Sequence, residues 1–195
     1  MELRLLKRVL ILFFIGFFLG PIGDYFHVLS QTTGYPQGVF DFYWGPIPFW
    51  VPFLFGSASI GVGLSHPWFD GFLGGPPVRP GARNAVIAWI GIFSFLGLYC
   101  LSGFLPGGAG GLSDGILALL AILIWALLDW TWQGILLGVL TAITGTALEI
   151  TLVHLEIFSY LPPKNNLLGV ASWLPWLYFA ASVTLGNFGR YLKRS

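Results

Sequence analysis

Charged side chains are scarce in this chain of 195 residues, in which Asp, Glu, Lys and Arg together make up 9% of the sequence. A soluble domain carries about 25% charged residues, so this chain cannot cover a water-facing surface. Hydrophobic residues make up 56%, and the mean hydropathy is +0.81. The formal net charge of +1 gives no basic footprint for a nucleic-acid partner. The composition predicts an integral membrane protein.

Cysteine and catalytic motifs are also lacking. The single cysteine, Cys100, lies in an apolar run, cannot form an internal disulfide and is interpreted as a small core hydrophobe. The chain has no HExxH sequence, no Cys–His pair and no phosphate-binding glycine loop. The apolar stretches contain no paired charges and no inverted repeats, which disfavours a transporter. We expect no cofactor.

Apolar stretches are what the chain does contain. A bilayer core of about 30 Å needs roughly 20 apolar residues per helix. Six candidate spans are Leu5–Leu19, Ile47–Leu64, Ala85–Leu101, Leu112–Leu128, Ile135–Val153 and Trp173–Leu192. The first could be a signal peptide, but no small-x-small cleavage site follows it, so an uncleaved helix is favoured. We predict an all-α polytopic membrane protein, a single domain over residues 1–195 with six transmembrane helices.

The cations predict the orientation. They precede the first span, lie between the second and third, and close the chain: Arg4, Lys7 and Arg8; Arg79 and Arg83; Arg190, Lys193 and Arg194. With six spans these three places fall on one face, and only Lys164 falls on the other. Because cytoplasmic loops carry an excess of Lys and Arg, both termini are predicted to be cytosolic. The long link between the first two spans is expected to lie on the outer membrane surface.

Small residues recur at helical spacing in two spans: Gly56, Ser59 and Gly63 in the second, and Ser182, Gly186 and Gly189 in the sixth. Such stripes let helix backbones approach closely in lipid, where hydrophobicity alone does not bring helices together. We therefore expect helix packing at Gly56, a close crossing at Gly186 and Gly189, and a hydrogen bond from Asn187 to a neighbouring helix or loop. Arg190 is expected to complement the helix dipole at a cytosolic C-terminus.

Two long strings resemble the Insig proteins, the insulin-induced-gene family of sterol sensors of the endoplasmic reticulum. Ser172–Arg190, SWLPWLYFAASVTLGNFGR, is similar to the family's W-L-P start followed by G-N-x-G-R. Trp50–Gly74, WVPFLFGSASIGVGLSHPWFDGFLG, is similar to its W-V-P, G-[ST]-A and P-x-x-D-x-x-L-G turn. Asp129, five residues before Gly134, and Arg83 match further positions, so that the resemblance covers roughly residues 47–192.

The resemblance implies a non-enzymatic lipid sensor with six helices. Animal members bind oxysterol within the bundle and hold the escort protein Scap and HMG-CoA reductase, and an aspartate after helix 4 is needed for the partner contact. Asp129 corresponds to it, which implies another polytopic membrane protein as partner. Phe95 and Trp125 match aromatic residues of the sterol pocket. Leu112 and Ile116 stand where animal members place a glutamine and a hydroxyl, so the usual polar handle is missing.

The fifth span offers a replacement polar anchor. It carries Thr144, Thr146 and Glu149, and a carboxylate in a membrane is costly unless it faces a cavity or a partner. We predict Thr146 or Glu149 as the anchor for a lipid hydroxyl; the alternative is that Glu149 extends outward to the interface. The ligand would be a sterol or, in a bacterial source, diacylglycerol. The membrane would be the endoplasmic reticulum of a eukaryote or the plasma membrane of a bacterium, and the oligomeric state stays open.

Asp129 has two interpretations from the residues alone. An anion at the end of a helix is disfavoured by the helix dipole, which indicates some other requirement there, such as the partner contact. Alternatively, Asp129 caps the start of the fifth helix.

An enzyme is the alternative function. Polar residues collect toward the outer face, with Asp24 and His27 in the first link: Asp24, His27, Asp41, Glu149, His154 and Glu156. Such a set could bind a metal or support acid–base chemistry on a lipid. His66 and Asp70 lie on the opposite, cytosolic face and cannot join it.

Overall fold

The computed structural model describes residues 2–36, 42–75, 78–107 and 111–195. Within these ranges the chain forms six helices: α1 Glu2–Leu29, α2 Trp50–Leu73, α3 Ala85–Phe104, α4 Leu112–Leu128, α5 Trp132–His154 and α6 Leu174–Arg194. Three of them are long and apolar enough to cross a membrane, over Leu3–Leu29, Ala85–Phe104 and Trp132–His154, and Leu112–Leu128 is a shorter apolar helix. The predicted all-α class and six helices are confirmed.

Short strands join the links between helices at the end of the bundle away from the termini. They are β1 Thr33–Gly34, β2 Tyr43–Trp44, β3 Ile47–Pro48 and β4 Ser159–Tyr160. β1 pairs antiparallel with β4, with Thr33 opposite Tyr160, so the link after α1 is joined to the link before α6. β2 and β3 form a hairpin. A 3₁₀ turn at Pro80–Ala82 lies in the link between α2 and α3.

The first two helices differ from the predicted spans. α1 continues beyond Leu19 through Pro21 to Leu29, because neighbouring elements satisfy its polar residues. α2 begins at Trp50 rather than Ile47, since Ile47 pairs with Trp44 in the hairpin. It then continues through Pro67 to Leu73 and ends where Gly74 adopts the left-handed conformation (φ 61°). The stretch Pro67–Gly74 is therefore a helix and its C-cap, not a turn.

α6 lies at the centre of the bundle, in contact with α2, α3, α4 and α5. Every residue from Phe179 to Arg190 is buried, including Ser182, Thr184 and Asn187. The outer helices instead expose large apolar side chains, among them Leu127 and Ile143. A polar and small-residue interior inside an apolar exterior is the arrangement expected in lipid, where polar side chains face the bundle interior.

α2 and α6 cross at glycines. A Cβ atom on Gly189 would overlap the backbone carbonyl of Gly63, and one on Gly186 would overlap the ring of His66. Gly56 lies on the other side of α2, where an added Cβ would stand 2.6 Å from the ring of Phe13 in α1. The structure thus places Gly186 and Gly189 at the α2–α6 crossing and Gly56 at the α1–α2 contact.

A chain of hydrogen bonds joins three helices beside this crossing. His66 Nε2 of α2 lies 2.7 Å from Ser182 Oγ of α6, and Thr141 Oγ1 of α5 lies 2.9 Å from the same Ser182 oxygen. His66 and Ser182 are fully buried. Buried polar groups need such partners, so this chain fixes how α2, α5 and α6 are rotated relative to one another.

Candidate functional site

Four charged side chains meet at the end of the bundle that carries both termini. They come from α2, the α2–α3 link, the residue after α4, and α6: Asp70, Arg79, Asp129 and Arg190, here named the charge cluster. Each arginine contacts both aspartates, so the four residues form a closed ring. The ring connects four parts of the chain that are distant in sequence.

Arg190 makes the more extensive contacts. Its Nε lies 2.8 Å from Asp70 Oδ2 and its Nη2 3.0 Å from Asp70 Oδ1, a bidentate pair. Its Nη1 reaches Asp129 Oδ2 at 3.0 Å. Arg79 completes the ring through Nη1 to Asp70 and Nε to Asp129 Oδ1, both at 3.1 Å.

Three of the four side chains of the charge cluster are buried, and the side chain of Asp70 is 22% exposed. Arg79 is 1% exposed, Asp129 2% and Arg190 5%. Burial and the neighbouring Arg190 lower the pKa of the Arg79 guanidinium, while Asp129 and Asp70 act in the opposite direction. A guanidinium stays charged at neutral pH. Buried charges are tolerated only when paired and hydrogen-bonded, and here two positive charges face two negative ones.

Asp129 is the most enclosed carboxylate of the ring. Thr131 donates its hydroxyl hydrogen bond to Asp129 Oδ1, and Asn187 Nδ2 approaches Oδ2 at 3.4 Å. The N-cap of α5 is Thr131, whose Oγ1 accepts from Gly134 N–H at 3.1 Å. The alternative that Asp129 caps α5 is therefore wrong. Its role in a partner contact stays a prediction, with the carboxylate facing two arginines inside the bundle.

No local feature of the sequence indicates the charge cluster. Arg190 was expected to complement the helix dipole and the spans were expected to lack paired charges, yet Arg190 bonds Asp70 across a separation of 120 residues. Topology placed Asp70 and Arg79 on the cytosolic face, and the resemblance placed Asp70 in the P-x-x-D-x-x-L-G string. Ion pairs between distant segments depend on how the helices pack, and hydropathy does not predict that packing.

A groove of about 440 Å³ opens on the outside of the bundle between α5 and α6. It is lined by Val139, Ala142, Ile143, Thr146, Ala147, Ile150, Pro175, Trp176 and Phe179. Thr146 is the only hydroxyl residue of this lining, and it is 7% exposed. Its Oγ1 has no hydrogen-bond partner among the described residues.

The other threonines of α5 behave differently from Thr146. The hydroxyls of Thr141, Thr144 and Thr151 each donate to the carbonyl four residues earlier, at 2.8 Å. This internal bond is the usual way for a helical threonine to satisfy its hydroxyl. The free hydroxyl of Thr146 thus distinguishes this position along α5.

The remaining predicted lipid contacts lie outside the lining of this groove. Phe95 of α3 is half-buried and stacks on Tyr99, with ring centroids 6.0 Å apart. Trp125 stacks on Trp130 and donates its Nε1–H to Thr131 O at 3.0 Å. Both pack against the same buried core cluster.

Glu149 turns toward α6 and the link before it. Its two oxygens accept hydrogen bonds from the hydroxyls of Tyr160 and Tyr178, each at 2.6 Å. The alternative that it extends outward to the interface is wrong. Burial and the nearby Glu149 raise the pKa of Tyr160 well above its ordinary value, which keeps this tyrosine a donor at neutral pH.

The outer polar set does not assemble into one site in the part of the chain that the structure describes. Asp24 and His27 belong to α1, not to the link; Asp24 accepts from Tyr35, while His27 bonds Ser102 at 2.8 Å. No three His, Cys, Asp or Glu side chains stand close enough to hold a metal within these residues. His154 and Glu156 are exposed. Asp41 lies outside the described residues.

The apolar exterior, the ionic interior and the lipid-facing groove define an integral membrane protein built as a helical bundle. A family model described as insulin-induced protein (INSIG) matches residues 113–193. The chain is 31% identical to the insulin-induced gene 1 protein of Danio rerio, over 97% of this chain and 73% of that protein. It is 32% identical to an INSIG protein homolog of Mycolicibacterium vanbaalenii, over 97% of this chain and 88% of the homolog.

A solved structure agrees with these sequence similarities. The crystal structure of a mycobacterial Insig homolog from Mycobacterium vanbaalenii superimposes with a TM-score of 0.84 at 28% identity, covering 96% of this chain and 94% of that chain. The chain belongs to the Insig family, and the resemblance found in the sequence is confirmed. The names of these relatives refer to no chemical reaction.

Proposed function

We propose that this protein is a non-enzymatic lipid sensor that holds a sterol- or diacylglycerol-like lipid in the α5–α6 groove. In this proposal all six helices span the membrane and both termini are cytosolic. The compartment is the plasma membrane in a bacterium or the endoplasmic reticulum in a eukaryote. The lipid acts as a ligand, and no cofactor is required.

The unpaired hydroxyl of Thr146 is the observation that carries the proposal. A buried hydroxyl without a partner is unfavourable by about 1–3 kcal/mol. Thr146 leaves its hydroxyl unbonded while three neighbouring threonines of α5 do not. A neutral lipid matches the groove, because it has a large apolar body and one small polar head to bond this oxygen.

Phe95, Trp125 and Glu149 stay predicted lipid contacts. A lipid that also reached the α3 and α4 side would meet the half-buried rings of Phe95 and Trp125. Glu149 already accepts two tyrosine hydrogen bonds, so a lipid hydroxyl would compete with Tyr160 or Tyr178. Thr146 needs no such displacement and is the better anchor.

Native mass spectrometry of the protein released gently from its own membrane tests this assignment. We expect a defined neutral lipid on the wild-type protein and a loss of about tenfold in its retention in Thr146→Val, the effect of one hydrogen bond. Thr144→Val is the matched control, since Thr144 is exposed and bonds within its own helix; it should retain the lipid.

The variants separate the possible locations of the lipid. If Thr146→Val retains the lipid while Phe95→Ala or Trp125→Ala loses it, the lipid lies on the α3–α4 side instead. A purified wild-type bundle without any lipid would contradict the sensor proposal. The enzyme alternative receives no support from the outer polar set, in which Asp24 and Glu149 bond to tyrosines.

The proposed partner is another polytopic membrane protein that recognises the corner between α4 and α5. Asp129 is enclosed there, whereas the adjacent Trp130 is 68% exposed, so we propose that Asp129 fixes the corner that the partner touches. α6 lines the lipid groove and also carries Arg190 of the charge cluster. The lipid can shift this corner by no more than its difference in affinity for the two packings.

A further inference from the structure

A second groove lies at the end of the bundle that carries both termini, between α1, α2 and α6. Its volume is about 390 Å³. Arg8 from α1 and Lys193 from α6 line it, together with Ser65 and Trp68 from α2. Leu5 and Leu64 complete an apolar wall. It is separate from the α5–α6 groove, with which it shares no lining residue.

Among the described residues, no carboxylate forms an ion pair with either cation of this groove. The residues that line it include no Asp or Glu. Among the side chains that the structure describes, every ion pair lies within the charge cluster. Arg79 and Arg190 are thus neutralised, while Arg8 and Lys193 are left to attract an anion.

Hydrogen-bond donors are also left over in the groove. Arg8 Nε is buried and has no partner among the described residues. Lys193 Nζ donates to the carbonyl of Pro67 at 3.0 Å, which uses one of its three N–H groups. A guanidinium presents a planar set of donors that matches phosphate oxygens, and an ammonium adds a point charge.

The groove lies at the level of the lipid headgroups in the membrane. Residues 9–29 of α1 follow Arg8 as 21 helical residues, which at 1.5 Å per residue extend about 30 Å, the thickness of a bilayer core. Trp68 is 61% exposed beside the cations, as tryptophan is at membrane interfaces. An apolar wall beside two cations suits an amphiphile rather than a free ion.

We propose that this groove binds the phosphate group of an anionic membrane lipid. Arg8 and Lys193 hold the phosphate oxygens, Leu64 contacts the start of the acyl chains, and Trp68 lies beside the headgroup. The proposal is independent of the neutral lipid in the α5–α6 groove. It assigns the protein a second lipid site at the opposite end of α6.

Competition between two phospholipids tests the site. The purified full-length protein is equilibrated in detergent with equimolar phosphatidylglycerol and phosphatidylcholine at 0.15 M salt, and native mass spectrometry gives the ratio retained. We expect phosphatidylglycerol to be preferred and the double substitution Arg8→Gln with Lys193→Gln to reduce the preference at least about tenfold. The matched control is Arg4→Gln with Arg194→Gln, which removes the same charge from exposed positions outside the groove.

The control should change the ratio less than about threefold, because Arg4 and Arg194 do not line the groove and charges at a distance are screened at this salt concentration. Equal losses in both double variants would show a general attraction to the basic termini and overturn the site. Ser65→Phe keeps both cations but fills the groove, so it should also reduce the preference. No preference in the wild-type protein would overturn the proposal outright.

Thermal unfolding distinguishes a lipid from a free phosphate. Phosphatidylglycerol should raise the midpoint of the wild-type protein and leave that of Arg8→Gln with Lys193→Gln unchanged. Each variant is first compared with the wild type in phosphatidylcholine, which detects loss of folding. An equal rise with inorganic phosphate alone would overturn the assignment to a lipid.

Discussion

Asp129→Asn is expected to lower the free energy of unfolding by about 3–5 kcal/mol, the effect of removing one partner from a buried ion pair. The substitution keeps the size of the side chain and removes only its charge. Arg79 and Arg190 would then share Asp70 alone, leaving one uncompensated positive charge in an interior where Arg79 is 1% exposed. Thermal unfolding in detergent should show a fall of about 10 °C in the midpoint.

Glu156→Gln provides the matched control, because it makes the same carboxylate-to-amide change at an exposed position. Its effect should stay within about 0.5 kcal/mol. A double-mutant cycle adds a sharper test. Asp129→Asn combined with Arg190→Gln removes one charge of each sign and should be at least about 1 kcal/mol less damaging than the sum of the single changes. Strict additivity would show that the 3.0 Å contact between these side chains contributes nothing.

Hydropathy predicted the bounds of α3 and α4 closely. The span Leu112–Leu128 coincides with α4, and Ala85–Leu101 falls three residues short of the end of α3. Both helices are apolar along their length and begin at recognisable caps, with Asn84 accepting from Ile87 N–H and Asp114 from Gly111 N–H. Local chemistry fixes these boundaries, so the sequence was sufficient to find them.

The ends of α1 and α2 depend on distant partners instead. Asp24 and His27 continue α1 because Tyr35 and Ser102 bond them, and His66 and Asp70 continue α2 because Ser182 and Arg190 do. Each residue would be unfavourable in a membrane helix without its partner. A span predicted from hydropathy ends at such residues, because hydropathy contains no information on which neighbouring side chain will form a hydrogen bond or ion pair with them.

In the candidate site, too, local features could be predicted from the sequence and contacts between distant segments could not. Thr146 was predicted, with Glu149 as the other candidate, to replace the missing polar handle, and the structure adds that its hydroxyl has no partner among the described residues and lines a groove. Asp129 was identified by resemblance, but the two arginines that enclose it come from 50 and 61 residues away in sequence. Single residues could be recognised from the sequence, whereas the ring they form required the packing of α6.

Gly189→Ala is expected to destabilise the bundle by about 3 kcal/mol or more, at the upper end of the usual effect of overpacking. The added Cβ would overlap the backbone carbonyl of Gly63, which cannot rotate away as a side chain can. α2 and α6 must then separate, which lengthens the bidentate contact between Asp70 and Arg190, the residue after Gly189. Thermal unfolding in detergent measures the effect.

Two other glycines give this prediction its controls. Gly61 of α2 has nothing within 4 Å of an added Cβ, so Gly61→Ala should be neutral or stabilise the helix by up to about 1 kcal/mol. Gly186→Ala meets the ring of His66, a side chain that can turn aside at the expense of its 2.7 Å contact with Ser182. Its effect should therefore lie between the other two. An unchanged midpoint of thermal unfolding in Gly189→Ala would mean that the bundle tolerates a wider α2–α6 crossing. The packing that links the two lipid grooves to the charge cluster would then be loose rather than fixed.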